Sequence, residues 1–293
     1  MIDQTEEGHD RKLPTEDVRV QYRLDLQEGP TGFGDAETTR IGAAIDVETT
    51  GKVIETGGVI EMAIRRFRFD AQGVVTHIDR SYCWREDPGF PIPPEITRLT
   101  GIADEDVRDR WIDEEVATRL LRSASIVVAH NARFDRPWVE RRLEGLGDLD
   151  WACSMSEVDW RERGFDGRAL GHLLGQAGWF HDAHHGPADV DAVIQLLRHR
   201  FADGSTALSE LLVRSAAPSW IVRAVGASFD VKDALRDRGY RWDPAGRVWW
   251  KEIEDASRLA EEFWLAENVY ASGLNARSMG PSFEEVSAAN RFR

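Results

Sequence analysis

Cysteine is scarce in this 293-residue chain: Cys83 and Cys153 are the only two, far apart and without metal-knuckle or redox spacing. That excludes a disulfide framework and a cysteine-ligated zinc site, and both thiols are expected to be buried in a reducing cytoplasm. No apolar run is long enough to cross a bilayer, so no membrane partner is expected. The opening residues, MIDQTEEGHDRK, are polar and acidic where a secretory signal has a basic start and an apolar middle, which predicts a cytoplasmic location. Positive charge is also short, with 37 Lys and Arg against 52 Asp and Glu and a net charge of −15. A broad basic surface holds nucleic acid through many lysines and arginines that displace counterions, and this balance argues against that mode. An enzyme that grips a strand end through metal ions stays open.

What the chain does have is apolar residues in blocks: 42% are hydrophobic, enough for one sizeable core and a smaller module. Residues 1–38 are polar and aperiodic, with turn residues in EGPTGFGD, and read as a flexible acidic tail. From residue 39 the pattern changes. IGAAIDV reads as a buried strand, GGVIEMAIRRFRF as a longer one, and DAQG as a turn into VVTHIDRSYCW, an antiparallel three-strand start. After the proline-rich, briefly helical PGFPIPPEITRLTGI come a helix in DEEVATRLLRS, a strand in SIVVAH and a helix closed by glycine in DRPWVERRLEGLG. A short strand in LDWACSM and helices in RALGHLLGQAG and GPADVDAVIQLLRHRF complete the block. Strands first, then alternating strands and helices, predict an α/β core over 39–203 with a mixed sheet covered by helices. Residues 204–217 read as a linker helix and loop, 218–270 as a small Trp-rich α+β domain and 271–293 as a C-terminal tail.

The chemistry is concentrated at strand ends and helix starts of the core, where open α/β sheets bind ligands. In AAIDVETTG, residues 43–51, Asp46 and Glu48 are two apart on a strand and share one face. Two anions side by side repel, so a cation is expected between them. Asp135 in HNARFD and Asp189 in HHGPADVDA add two more acids. Oxygen ligands of this kind suit Mg²⁺ or Mn²⁺, and four of them can hold two ions about 4 Å apart.

These three segments resemble motifs I, II and III of the DnaQ-like, or DEDDh, 3′-to-5′ exonucleases. The resemblance covers residues 40–202, and PIPPEITRLTGI is similar to the segment that the family carries between motifs I and II. It implies an RNase H-like exonuclease fold, a mixed five-stranded sheet flanked by helices, and hydrolysis of phosphodiester bonds at the 3′ end of a single strand of DNA or RNA. It also implies two Mg²⁺ or Mn²⁺ ions held by Asp46, Glu48, Asp135 and Asp189. In the family a histidine five residues before the last aspartate acts as general base, which falls on His184; a sister subclass has tyrosine four residues before it, where this chain has His185. Gly186 and Pro187 suit a helix start, which leaves both histidines in the preceding loop and Asp189 in the first turn. His184 is the preferred base and His185 the alternative. The family commonly has a small residue, often alanine, where Gly186 stands. DNA polymerase or repair proteins are candidate partners. Two other readings remain: an exonuclease-fold scaffold subunit of such a complex, and an oligoribonuclease-like enzyme on short RNA.

Secondary candidates have plainer readings beside the functional ones. Thr49 and Thr50 either cap the turn or touch the terminal nucleotide. His130 and Asn131 either satisfy backbone groups before a helix, with Asn131 capping, or contact substrate. Asp191 is expected on a solvated face and His172 as an ordinary buried or half-buried histidine. HDAHH, residues 181–185, lacks the upstream ligands that a zinc cluster or a His-Asp phosphohydrolase requires. In the C-terminal unit, GYRWDPAGRVWW predicts a hairpin preceded by a helix. Its tryptophans serve either as core or, with interleaved arginines, as a stacking platform for single-stranded nucleic acid.

Overall fold

The computed structural model describes residues 19–271 and 273–293. In chain order the elements of the first part are β1 (Tyr22–Arg23), β2 (Gly29–Pro30), β3 (Arg40–Thr49), β4 (Val59–Phe69), β5 (Val75–Arg85), α1 (Pro94–Thr100), α2 (Asp104–Val107), α3 (Glu114–Arg122), β6 (Ile126–Ala129), α4 (Ala132–Arg142), β7 (Trp151–Cys153), α5 (Leu170–Gln176), β8 (Trp179–Phe180) and α6 (Gly186–Leu197). The rest comprises α7 (Ala207–Ala216), β9 (Ser219–Ala224), α8 (Lys232–Asp237), β10 (Arg241–Asp243), β11 (Val248–Glu254), α9 (Arg258–Asn268) and β12 (Ser282–Val286).

The main sheet has the order β2-β5-β4-β3-β6-β7. β3 to β5 are antiparallel, while β6 and β7 run parallel to β3, so the sheet is mixed as predicted. It has six strands rather than five because Gly29 and Pro30 pair with Ile78 and His77 on the outer edge of β5. β3 is covered on both faces, which is why Ala43, Ala44 and Ile45 are all fully buried. Ala44 and Ala63 face a core with Val190 and Val193 of α6, and Ile45, Val47 and Met62 face one with Leu120 and Leu121 of α3 and Val139 of α4. By alternation Asp46 and Glu48 lie on the α6 face of the sheet.

Several boundaries differ from expectation. Residues 1–18 of the predicted tail lie outside the described residues. Residues 19–38 are held by pairing: Tyr22 and Arg23 lie parallel to Trp179 and Phe180, and Arg23 forms an ion pair with Asp182. The helix expected in the linker is present as α7, but its Leu208 and Leu211 are buried in the main core, so the segment packs as part of that core. Residues 271–293 are not a tail, since β12 pairs antiparallel with β9 in a second sheet of order β10-β11-β9-β12. Its end is anchored on the main domain. The fully buried Arg136 guanidinium donates to the carbonyls of Ala288, Ala289 and Arg291, and Arg291 pairs with buried Glu157. α4 ends at Arg142 with Leu143 in extended conformation, before the glycine expected to close it. Cys83 is exposed and only Cys153 is buried; Cys83 stands opposite Ala63, beside Glu61.

In the small sheet the predicted hairpin is present, with Trp242 opposite Trp249 and Arg241 opposite Trp250. Trp220, Trp249 and Trp264 pack on the core formed by Val222, Leu235 and Leu265, while Trp242 is 48% exposed. No helix among the described residues is long and apolar enough to cross a membrane.

Candidate active site

β3 delivers two acids to one point because β6 stops pairing with it at Ala44. Beyond that residue the parallel neighbour is gone, and the Asp135 carboxylate of α4 accepts the Val47 N–H at 3.3 Å. On the other side β4 continues, with Ala63 opposite Asp46 and Glu61 opposite Glu48, and the pairing shifts register after Glu48. Such an irregularity bends a strand end and re-aims its side chains.

α6 supplies the fourth acid. Pro187 stands in its first turn, Asp189 follows within that turn, and His185 is the cap position. Asp189 is fixed at both oxygens: His181 Nε2 lies 2.9 Å from Oδ1, and the His185 N–H donates to Oδ2 at 3.0 Å. The structure thus brings Asp46, Glu48 and Asp189 together, each with an oxygen within 4.8 Å of the others. Asp135 stands beside this trio, outside that radius, yet it is the strongest charged neighbour acting on Asp46.

The electrostatics are those of a site short of positive charge. Burial, and then Asp135, Asp189, Glu48 and Glu61, push the Asp46 carboxyl well above the usual range. Burial followed by Asp189 and Glu61 raises Glu48 to about 7. Burial raises Asp135 to about 8 despite the stabilising Val47 N–H. Asp46 Oδ2 is buried with no hydrogen-bond partner. A buried lone pair without a donor costs free energy unless a cation or proton meets it. A divalent metal fits this donor set: oxygen ligands only, converging, desolvated and mutually repulsive.

The remaining candidates separate. His184 has a positive φ of 62°, a side chain 51% exposed, and Nδ1 3.9 Å from Glu48 Oε1. His185 is exposed, and its contact with the cluster is through its backbone. Thr49 Oγ1 donates to the Gly51 carbonyl and Thr50 Oγ1 accepts the Gly58 N–H, so both hydroxyls are used within the turn after β3. His130 lies between Ser154 Oγ at 2.9 Å and the Arg168 carbonyl at 2.8 Å, and burial lowers its pKa to about 4, so it is neutral. Asn131 makes no side-chain cap; at φ 93° it occupies the left-handed region that asparagine tolerates, and it is exposed. Asp191 is not on a solvated face: it forms an ion pair with the buried Arg65 at 2.6 Å. His172 is exposed rather than buried.

Two residues escaped the sequence reading. His181 belongs to HDAHH but is eight residues before Asp189, outside the spacing considered. Glu61 is a lone acid in the apolar run VIEMAI, which is the signal that could have marked it.

The exonuclease family model, RNase T, matches residues 43–196, which includes all four acids and both loop histidines. The chain belongs to that family, whose members are hydrolases of nucleic acid that work with divalent metal ions, and its mixed sheet is the RNase H-like fold. The DNA polymerase III PolC-type of Caldanaerobacter subterraneus subsp. tengcongensis is 30% identical over 138 residues, 44% of this chain and 9% of that protein. Ribonuclease T of Shewanella baltica is 29% identical over 144 residues, 44% of this chain and 64% of that protein. The chain therefore spans less than two thirds of either relative. Among solved structures, Exonuclease X in complex with 5′ overhanging duplex DNA aligns with a TM-score of 0.41 at 21% identity, covering 57% of this chain and 99% of that one. Exonuclease I aligns with 0.47 at 17% identity, covering 86% and 63%.

Proposed function

We propose that this chain is a metal-dependent exonuclease that removes nucleotides from the 3′ end of single-stranded DNA or RNA. In this reading Asp46, Glu48, Asp135 and Asp189 hold two Mg²⁺ or Mn²⁺ ions, and His184 is the general base. The observation that carries it is the convergence of half-buried Asp46 and Glu48 with buried Asp189 around a buried Asp46 oxygen that has no partner. When bound, such a pair of ions generates the nucleophile and neutralises charge developing on the scissile phosphate.

The chain's own residues hold the geometry. The Val47 N–H fixes Asp135, while His181 and the His185 N–H fix both oxygens of Asp189. The carboxylates therefore pay little entropy when a cation enters. His184 Nδ1 faces Glu48, which leaves Nε2 to take the proton from the attacking water. His185 is the poorer candidate because its tie to the cluster is its backbone. An acidic protein can act on nucleic acid in this way because metal ions, not surface lysines, meet the phosphate. A cytoplasmic location and a polymerase or repair partner belong to the same proposal.

The test is digestion of a 5′-labelled single-stranded oligonucleotide with Mn²⁺. A ladder shortening from the 3′ end is expected, with Asp46→Ala and Asp189→Ala inactive. An oligonucleotide left intact by the wild type contradicts the enzymatic reading and favours the scaffold role; early release of the labelled mononucleotide reverses the polarity. Matched DNA, RNA and dinucleotide substrates distinguish a general exonuclease from an oligoribonuclease-like enzyme.

A further inference from the structure

Glu61 is a buried acid that none of the four metal-binding positions accounts for. It lies on β4 opposite Glu48, with a side chain only 3% exposed. One oxygen, Oε2, accepts from Arg85 Nε at 3.3 Å, and Arg85 reaches on to Asp106 of α2 at 3.2 Å. The other, Oε1, accepts the N–H of Gly186 at 2.9 Å. Gly186 is the first residue of α6, and a first-turn N–H has no acceptor within its own helix. Glu61 thus supplies from the sheet what the helix cannot supply for itself.

The glycine at this position follows from the same contact. A Cβ on residue 186 would lie 2.8 Å from the Ala63 Cβ and 3.0 Å from Glu61 Oε1, distances that force the helix away from the strand. The absence of a side chain lets α6 begin directly on β4. Three residues later the same helix carries Asp189, and the two residues before Gly186 are His184 and His185.

We propose that Glu61 is a positioning residue: by holding the Gly186 N–H against β4 it sets where α6 starts, and so where Asp189 and the histidine loop meet Asp46 and Glu48. This inference rests on the exonuclease reading above, and its test separates the two. Glu61→Ala is expected to lower kcat and weaken Mn²⁺ binding, measured by calorimetry without substrate, each by about 10-fold to 100-fold, as loss of residues that orient metal ligands does. KM for the oligonucleotide is expected to stay within about twofold, because Glu61 is not exposed to substrate. Glu61→Gln keeps an oxygen for Gly186, and Arg85 keeps Asp106, so it is expected to recover most of both losses. A Glu61→Ala enzyme with unchanged kcat and Mn²⁺ affinity overturns the proposal, as does Glu61→Gln as damaged as Glu61→Ala, since charge rather than the hydrogen bond would then be what matters. Hydrogen exchange of the Gly186 amide in ¹⁵N-glycine-labelled wild type decides the contact even if Glu61→Ala does not fold or the wild type does not cleave. Slow exchange is expected, and exchange at the rate of an unpartnered first-turn amide refutes the anchor.

Discussion

Removing divalent cations should make this protein less stable as pH rises through the neutral range. In the metal-free fold Glu48 titrates at about 7 instead of the ordinary 4.5, chiefly because it is buried and next because Asp189 and Glu61 face it. Between those two values the unfolded chain has lost a proton that the folded chain keeps, so stability falls as pH increases. The displacement from 4.5 to about 7 corresponds to roughly 3 kcal/mol for a group whose side chain is 14% exposed. Asp135, held at about 8, adds to the loss and extends the window upward. At 2–4 °C per kcal/mol for a chain of this size class, a fall in Tm on the order of 10 °C is expected between pH 5 and pH 8 in EDTA. Mn²⁺ at about one hundred times its Kd should restore about 2.7 kcal/mol at pH 8 by mass action. The assay is thermal unfolding of wild type beside Glu48→Gln and Asp46→Asn, so that titrations common to all three cancel. Both variants are expected to be more stable than wild type at pH 8 in EDTA and to gain less from Mn²⁺. A wild-type Tm that is flat or rising over this range, or variants that track it, would refute the reasoning that these acids repel one another in the empty site.

Three other outcomes are expected. His184→Ala should lose about 10²-fold to 10⁴-fold in kcat with Mn²⁺ affinity nearly unchanged, while His185→Ala stays within a few-fold; the reverse order would move the base to His185. Arg136→Met should lower stability by about 3 kcal/mol or more and expose the 288–293 segment to proteolysis, because three carbonyls lose a buried donor; unfolding and limited digestion check this. His130→Phe should cost about 1–3 kcal/mol by leaving the buried Ser154 hydroxyl without its imidazole partner, with Mn²⁺ affinity retained, as calorimetry beside urea unfolding would show.

The parts of the molecule legible in the sequence are those with strong local patterns. Period two across IGAAIDVET places Asp46 and Glu48 on one side of a strand, and Gly186-Pro187 before an apolar helical stripe marks the start of α6. Asp191 shows what local pattern misses: two residues from Asp189, it looks solvated until β4 brings Arg65 to within 2.6 Å. Glu61 is the same kind of case, since its partners Arg85 and Gly186 come from different elements. β12 was missed because SFEEV is mostly exposed on an edge strand, where alternation leaves few apolar residues to read. The pairing of Tyr22 and Arg23 with β8 has no periodic signature in two residues. The geometry that separates His184 from His185 likewise lies in backbone conformation: a φ of 62° sets the one ring toward Glu48, while the other residue offers its N–H to Asp189.

The central claim is that four separated carboxylates share divalent cations, and diffraction from Mn²⁺-soaked crystals at the manganese edge tests it most directly. Two anomalous peaks among Asp46, Glu48, Asp135 and Asp189 are the expected result. No peak there, with ordered and metal-free carboxylates at saturating Mn²⁺, would contradict it.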